Sequence, residues 1–259
     1  MDLGIRGRKA IVCASSRGLG KACALALAEA GCEIVINGRD STALEASARE
    51  IREATGVTVT PVQADVGTAE GRRALLAACA APDILVNNNS GPAPKDFRDL
   101  TDEDMHAGVN ANMLTPIALV QAVVDGMAAR HFGRIIDITS GSVRMPLPGL
   151  DLSSGARAGL TAFLSGVARE VAYANVTINN ILPGAFATDR LRATIAAQAG
   201  RLGGTLEQAE QSRRDAIPAR RFGRPEEFGR VCAFLASAHA GYITGQNILI
   251  DGGAFPGAF

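Results

Sequence analysis

The glycine-rich turn Ala14-Ser-Ser-Arg-Gly18-Leu-Gly20 is the first segment whose residue types suggest chemistry. It follows a short apolar run and opens an alanine-rich stretch of helical character. At the start of a helix, backbone N–H groups and the positive end of the helix dipole attract a pyrophosphate. The segment therefore predicts a dinucleotide site formed by Ala14, Ser16, Arg17, Gly18, Leu19 and Gly20. The alternative is an ordinary turn, since glycine-rich turns also end strands that bind nothing.

Two arginines indicate which dinucleotide this would be. The second apolar run ends in Ile36-Asn37-Gly38-Arg39-Asp40. An acidic residue directly at this strand end would bind the adenosine 2′-hydroxyl and favour NAD. Arg39 stands there instead, and Arg17 can approach the same group. Because guanidinium groups bind a phosphate dianion better than a diol, the pair predicts NADP(H) as cofactor. The alternative is that Arg39 is a solvated loop residue.

The elements that must position these residues alternate along the whole chain. Short apolar or β-branched runs predict strands at Lys9–Ala14, Glu33–Asn37, Thr58–Gln63, Ile84–Asn87, Arg134–Thr139, Val176–Leu182 and Asn247–Ile250. The stretches between them predict helices at Gly18–Ala30, Ser41–Thr55, Thr68–Ala80, Thr101–Arg130, Ser153–Ala174, Leu191–Arg214 and Pro225–Ala236. This order predicts an α/β fold: a single doubly wound, Rossmann-like parallel sheet with helices on both faces, forming one domain over residues 1–259. Ligands of such sheets bind at the carboxyl ends of the strands.

Composition narrows the classes of partner. The formal net charge is zero, which argues against nucleic acid or an anionic membrane as the main partner. The five cysteines form no CxxC pair, which is typical of reduced thiols in a cytoplasmic protein. No signal peptide is evident, and no uninterrupted apolar run approaches a membrane span. The three histidines, at positions 106, 131 and 239, are too widely spaced to predict a metal site.

These motifs together resemble the short-chain dehydrogenase/reductase family, in the branch similar to 3-oxoacyl-acyl-carrier-protein reductases. The turn at Ala14–Gly20 resembles the family's TGxxxGxG loop, with Cys13 and Ala14 in place of its Thr and first Gly. The resemblance covers essentially the whole chain, and it implies an NADP(H)-dependent oxidoreductase. It further implies cofactor contacts from Asp65, Val66, Asn87, Asn89, Pro183, Gly184 and Thr188, and catalytic roles for Asn110 and Ser140.

The chain departs from this family at the residues that move the proton. The family has a YxxxK motif about 13 residues after its catalytic serine; counting from Ser140, this sequence has Ser153 and Arg157 at those places. The two tyrosines, Tyr173 and Tyr242, lie too far along the chain to substitute by a local shift. The resemblance implies that Arg157 keeps the lysine's contact with the nicotinamide ribose and that Ser153 stands where the phenol would be. Ser153 is alternatively the N-cap of its helix, Arg157 a structural ion-pair partner, and Ser140 a strand-end serine without function.

Hydride transfer without the phenol requires another proton source. An arginine cannot readily shuttle a proton, because its pKa lies above about 12. Ser140 would polarise the substrate oxygen, while water held by Ser153 or Asn110 would deliver the proton. The leading hypothesis is an NADPH-dependent oxidoreductase that acts on a small carbonyl or related unsaturated substrate. The alternatives are an NADP(H)-binding protein without redox activity and a lyase resembling halohydrin dehalogenases.

Two regions predict how a substrate and a partner subunit are bound. Residues 186–218, together with Arg144–Asp151, are expected to form a substrate lid. Phe186, Leu147, Leu150 and Met145 would give it a partly apolar pocket. Apolar residues surround much of the helix predicted at Ser153–Ala174, as in a helix that packs on a partner. Family members usually form tetramers. The resemblance therefore implies a homo-oligomer, a tetramer or a dimer.

Overall fold

Seven parallel strands form a single sheet in the computed structural model, which describes residues 2–202 and 204–258. The strand order is β3-β2-β1-β4-β5-β6-β7. The strands are β1 (Lys9–Val12), β2 (Glu33–Gly38), β3 (Val59–Gln63), β4 (Ile84–Asn87), β5 (Gly133–Ile138), β6 (Val176–Pro183) and β7 (Asn247–Ile250). The order reverses direction between β1 and β4, which is the point where doubly wound sheets bind their ligands. The predicted fold class is confirmed.

Hydrophobic cores lie on both faces of the sheet. Successive residues of a strand point to opposite faces, so Ile11 and Val12 of β1 belong to different clusters. One cluster packs the sheet against helices α1 (Gly18–Glu29), α2 (Ser41–Thr55) and α9 (Pro225–Ala236). The other packs it against α3 (Ala69–Ala78), α5 (Thr115–Ala129) and α6 (Asp151–Val171). Burial on both faces explains why most strands show no alternation of apolar and polar residues.

The helix predicted at Thr101–Arg130 is interrupted. It comprises α4 (Asp102–Val109), a π-helical turn at Asn110–Leu114, and α5. In the π turn the Thr115 N–H donates to the Asn110 carbonyl, one residue farther along than in an α-helix. Apolar periodicity alone does not show such an insertion, because the residues on both sides of it remain helical.

The helix predicted at Leu191–Arg214 is two helices, α7 (Asp189–Leu202) and α8 (Leu206–Asp215). A capping box begins α8: the Thr205 side chain accepts from the Gln208 N–H, and the Gln208 side chain accepts from the Thr205 N–H. This reciprocal cap fixes a new helix start, so the single-helix prediction was wrong here.

One helical stretch, Asp102–Ala129, is long and apolar enough by length and composition to cross a membrane. Half of its most apolar 18-residue window is buried inside the protein, and core helices of soluble proteins pass the same test. Asn110, Asn112, Thr115, Gln121 and Asp125 interrupt its apolar residues, so it is not an uninterrupted apolar run. The finding is weak support for a membrane segment, because the helix packs in the core.

Candidate active site

The turn between β1 and α1 has the backbone of an anion-binding loop. Ala14 and Gly18 have positive φ angles of 43° and 58°, and α1 begins after Arg17 without a side-chain cap. The first N–H groups of α1 are therefore free of a capping side chain and available to a pyrophosphate. Gly20 is needed for packing, because a β-carbon there would lie 2.5 Å from the Ala14 carbonyl oxygen. The turn fits the phosphates of a dinucleotide.

Three residues that the sequence analysis did not single out hold this turn in place. The Asn37 side chain accepts from the Ala14 N–H at 3.3 Å, and the Asn37 N–H donates to Ser15 Oγ at 3.0 Å. The Asn88 amide donates to the Ala14 carbonyl at 3.1 Å. A polar residue at the buried end of a strand is the signal that could have identified them, because such a residue must find a partner.

The two arginines predicted to bind a 2′-phosphate lie beside acidic residues. Arg17 forms an ion pair with Asp40, and Arg39 Nη1 lies 3.7 Å from Asp65 Oδ2. Both arginine side chains are exposed, so solvent weakens these pairs. Each arginine can therefore exchange its acidic partner for a phosphate with little loss of interaction energy. Ser16 lies at the same edge, because a β-carbon on Gly38 would contact its hydroxyl at 2.9 Å.

Asn110 is placed in a supporting position. Its side-chain amide donates to the Gly67 carbonyl at 3.1 Å, beyond the end of β3 and next to Asp65 and Val66. Among the contacts of the described residues, none joins the Asn110 side chain to Ser140, Ser153 or Arg157. This side chain ties the π turn to the predicted adenine-binding loop, and a direct part in proton transfer has no contact to support it.

Ser153 and Arg157 form a buried pair at the carboxyl ends of β4 and β5. Helix α6 begins at Asp151 after Leu150, so the alternative of Ser153 as an N-cap is wrong. Arg157 Nε donates to Ser153 Oγ at 3.2 Å, and Nη1 donates to the Ile138 carbonyl at 2.8 Å. Burial lowers the pKa of Arg157 to about 10, with a further contribution from the nearby charge of Arg190. The guanidinium is still protonated at neutral pH.

Ser140 follows β5 directly and is half-buried. Its Oγ accepts from the Ser142 N–H at 3.1 Å and from the Ser142 hydroxyl at 2.9 Å. With both acceptor positions occupied, the hydrogen of the Ser140 hydroxyl is free to be donated. Arg157 donates a hydrogen bond to the carbonyl of Ile138, two residues before Ser140. The guanidinium group therefore lies at the same strand end.

A small cavity lies behind this cluster. It has a volume of about 20 Å³ and is lined in part by Asn87, Asn112, Thr115, Asp137 and Arg157. One oxygen on each of the first four residues is buried without a hydrogen-bond partner among the described residues. The Asn87 amide donates to Asp137 Oδ1 at 2.9 Å. Burial raises the pKa of Asp137 to about 7, against the lowering effect of this hydrogen bond. The cavity suits about one water molecule bound to these oxygens.

The loop after β6 lies over the phosphate turn. A β-carbon on Gly18 would lie 3.8 Å from Thr188 Cγ2, so the predicted cover residue reaches the start of α1. A β-carbon on Gly184 would lie 2.7 Å from Asp251, which shows how closely the loops after β6 and β7 approach. Pro183 is the last residue of β6. Pro183, Gly184 and Thr188 therefore lie at the carboxyl edge, as predicted.

Phe186 does not line a substrate pocket. Its side chain is buried in the core and meets Phe228 edge to face, with ring centroids 5.3 Å apart. Gly223 lies against the Phe186 ring, since a β-carbon there would be 2.6 Å away. The prediction of an apolar pocket residue at this position was wrong, because an apolar residue after a strand packs equally well into a core.

Known proteins resemble this chain over nearly all of its length. A family model described as enoyl-(acyl carrier protein) reductase matches residues 13–254. A 3-oxoacyl-[acyl-carrier-protein] reductase of Synechocystis is 36% identical over 250 residues, covering 94% of this chain and 95% of the relative. The chain belongs to the short-chain dehydrogenase/reductase family.

Other members of the family show the same relationship. The NADPH-dependent reductase BacG of Bacillus subtilis is 32% identical over 252 residues, covering 95% of this chain and 97% of the relative. The crystal structure of L-sorbose reductase from Gluconobacter frateurii, complexed with NADPH and L-sorbose, is 32% identical. It superposes with a TM-score of 0.94 and covers 99% of this chain and all of that one.

Within this family, the departures at Ser153 and Arg157 can now be placed in the fold. Both residues lie in the first two turns of α6, at the carboxyl edge of the sheet and on its buried side. Three of the five guanidinium N–H groups contact the protein. The other two N–H groups form no hydrogen bond within the described part of the chain. In the part of the chain that the structure describes, no group of His, Cys, Asp or Glu could hold a metal ion.

Proposed function

We propose that this protein is an NADPH-dependent reductase that transfers a hydride to a small carbonyl or related unsaturated substrate. One observation carries the proposal: the uncapped start of α1, the buried Ser153–Arg157 pair and the end of β5 that precedes Ser140 all lie at the carboxyl edge of one sheet. A dinucleotide that spans this edge has its phosphates at the first feature and its reactive end at the second. The relative named NADPH-dependent reductase and the reductase structure complexed with NADPH support this choice.

The residues at this edge fit NADP(H). The backbone of Ala14–Gly20 would hold the pyrophosphate, and Arg17 and Arg39 the 2′-phosphate. Asp65, Val66, Asn87 and Asn89 would border the adenosine and the adjoining ribose, and Pro183, Gly184 and Thr188 would cover the nicotinamide end. When bound, NADPH supplies the hydride. The remaining chemistry belongs to the side chains of this protein.

Ser140 would polarise the substrate oxygen. Its oxygen already accepts two hydrogen bonds from Ser142, so its own hydrogen is free to be donated to a substrate oxygen. The charge of Arg157, held in a buried environment, would stabilise negative charge that develops on the same oxygen. Buried positive charge acts more strongly than exposed charge, because less solvent screens it.

The proton would come from water held at Ser153. Ser153 Oγ accepts from Arg157 Nε, so the Ser153 hydroxyl hydrogen remains free to orient a water molecule or to bond the substrate oxygen. A positioned general acid typically contributes a factor of about 10²–10⁴ to the rate. We therefore expect this enzyme to prefer substrates that need little acid assistance, such as imines, electron-poor ketones and conjugated enones.

The direct test measures cofactor binding and turnover separately. NADPH and NADH are titrated by fluorescence, and NADPH oxidation is then followed with a panel of ketones, imines and enones. We expect NADPH to bind and at least one class to be reduced. Ser140→Ala should lower kcat at least about 10²-fold, while Ser165→Ala, an exposed serine of α6, leaves it unchanged.

The other outcomes identify the alternatives. Tight NADPH binding without turnover on any substrate would indicate a cofactor-binding protein without redox activity. The absence of the family's tyrosine supports this alternative. Failure to bind either dinucleotide would contradict the proposal and favour a lyase resembling halohydrin dehalogenases. Against that lyase stands the intact phosphate turn between β1 and α1.

We also propose a homo-oligomer, a tetramer or a dimer, assembled through α6. The outer face of this helix exposes Phe163 to 46%, flanked by Gly155, Ala162 and Gly166. A β-carbon on either glycine would meet nothing within 4 Å, so a partner helix can approach closely.

The domain proposed over residues 1–259 would carry its substrate lid at 186–218. Five buried free thiols support a cytoplasmic location.

A further inference from the structure

Three polar groups from two helices, α6 and α7, converge beside the proposed nicotinamide site. A β-carbon built on Gly91, in the loop after β4, would lie 3.2 Å from Arg190 Nη2, 3.4 Å from Ser153 Oγ and 3.5 Å from Arg157 Nη2. Arg190 belongs to α7, and its Nη2 donates to the Gly91 carbonyl at 3.4 Å. The three side-chain atoms therefore lie close to one another at the Gly91 backbone.

The two guanidinium groups carry positive charge without an acidic partner. Neither Arg157 nor Arg190 forms a salt bridge with any residue in the ranges 2–202 and 204–258. Arg157 is 8% exposed, so water compensates its charge poorly, whereas Arg190 is exposed. The charge of Arg190 is close enough to help lower the pKa of Arg157. An anion beside both groups would compensate the buried charge of Arg157 and its repulsion by Arg190.

The geometry suits a carboxylate. Guanidinium groups bind carboxylates through two parallel N–H···O bonds. We propose that the substrate carries a carboxylate, bound between Arg157 and Arg190 at Gly91. This inference rests on the proposed reductase function and names its substrate class: an oxo acid or a related unsaturated acid. Arg190 would determine specificity, while Arg157 would serve both the substrate and the reaction.

Binding and turnover are measured independently, so that the two proposals can fail separately. The probes are pyruvate, acetoacetate and levulinate, which differ in the number of carbons between the carbonyl and the carboxylate. Each acid is compared with its methyl ester. Calorimetry measures their binding to the protein saturated with NADP+, which has no hydride to transfer, and absorbance follows NADPH oxidation in a separate assay. We expect at least one acid to bind about tenfold or more tightly than its ester. Binding with this preference but without turnover would support the carboxylate site and contradict the reductase.

Arg190→Gln should abolish the preference for that acid over its ester and leave NADPH affinity unchanged. Arg190→Lys should restore part of the preference, because it restores the charge without the paired donors. Arg192→Gln changes an exposed arginine of the same helix and should have no effect. Equal binding of every acid and its ester in the unmodified protein would overturn the proposal. So would an equal loss of NADPH and acid affinity in Arg190→Gln, which would assign Arg190 to a cofactor phosphate.

Discussion

Individual side chains determine how charge is distributed along the carboxyl edge of this sheet. At one end, Arg17 and Arg39 are exposed and paired with Asp40 and Asp65. At the other, Arg157 is buried and has no acidic partner in the described ranges. The exposed pairs are suited to exchange partners with an incoming phosphate. The buried charge is fixed in position, as a group that acts on a reacting oxygen must be.

Removing Arg39 should change the choice of cofactor. In Arg39→Ala we expect NADPH affinity to fall about 10–100-fold, because charge-assisted hydrogen bonds to the 2′-phosphate are lost. The freed carboxylate of Asp65 would then repel the same phosphate. NADH affinity should change little. Fluorescence titration with both dinucleotides measures the ratio, and Arg49→Ala, an exposed arginine of α2, is the control. An unchanged ratio of NADPH to NADH affinity would indicate that Arg39 is a solvated residue without contact to the cofactor.

Asp137 should make stability depend on pH. Burial raises the pKa of this carboxyl to about 7, whereas in the unfolded chain it ionises near its ordinary value of about 4. Between these values the folded protein binds more protons than the unfolded chain, so the Asp137 contribution to the free energy of unfolding falls as pH rises. Below about pH 4 the contribution is fully present, and above about pH 7 the loss is complete.

Asp137→Asn should remove that dependence. The amide cannot ionise, so the variant should exceed the unmodified protein in stability above pH 7, by up to about 4 kcal/mol. Urea unfolding at pH 5.5 and pH 8 measures the difference, with Asp125→Asn, an exposed residue of α5, as control. If the variant loses as much stability as the unmodified protein between the two pH values, Asp137 does not titrate as described.

The chain's residue pattern predicted some of these side chains and missed others for a physical reason. Ser153 and Arg157 are four residues apart, and residues at that spacing lie on one helix face, so their contact could be expected. Arg190 meets Gly91 across 99 residues of chain, and no local pattern reports such a contact. Phe186 was misjudged because apolarity cannot distinguish a core position from a pocket. The unpartnered oxygens around Asp137 depend on packing, which spacing does not reveal.

Some helices and turns could likewise be predicted from the sequence, and others could not. The strand bounds and the phosphate turn follow closely from apolar runs and glycine positions. The π turn at Asn110–Leu114 and the break between α7 and α8 do not, because each depends on hydrogen bonds within a stretch that remains helical on both sides. Asn110 illustrates the consequence, since its resemblance to a relay residue was clear from the sequence but its bond to Gly67 was not.

The start of α1 should tolerate no side chain at Gly20. In Gly20→Ala the added carbon would lie 2.5 Å from a backbone oxygen and 2.8 Å from Asn88 Nδ2. Overpacking of this kind typically costs about 1–3 kcal/mol. We expect a lower melting temperature and weaker NADPH binding, because the turn must shift.

A matched glycine in a helix gives the control for this change. A β-carbon on Gly200 of α7 would meet nothing within 4 Å. Gly200→Ala should therefore keep NADPH affinity and gain up to about 1 kcal/mol, since alanine favours helix. If both alanine variants behave alike in melting and titration, steric contact at Gly20 is not what shapes the turn.

The molecule as a whole should assemble through the outer face of α6. Phe163→Asp would place a charge in the proposed interface, where desolvation is costly. We expect the mass in solution, measured by light scattering after size-exclusion chromatography, to fall toward that of a monomer. Phe97→Asp alters another exposed phenylalanine, outside α6, and should leave the mass unchanged. An assembly that survives Phe163→Asp would place the interface elsewhere.

The five free cysteines are all buried, and burial raises the pKa of Cys13 and Cys32 to about 12. An alkylating reagent such as iodoacetamide attacks the thiolate, so it can react only when the chain opens. The rate of labelling then reports how often each layer of the molecule unfolds. Cys13 begins the phosphate turn and Cys32 immediately precedes β2, so their reaction rates compare the ligand edge with the opposite one. A bound dinucleotide should slow the labelling of Cys13 more than that of Cys32. The two labelling rates then report local opening at the two edges of the sheet.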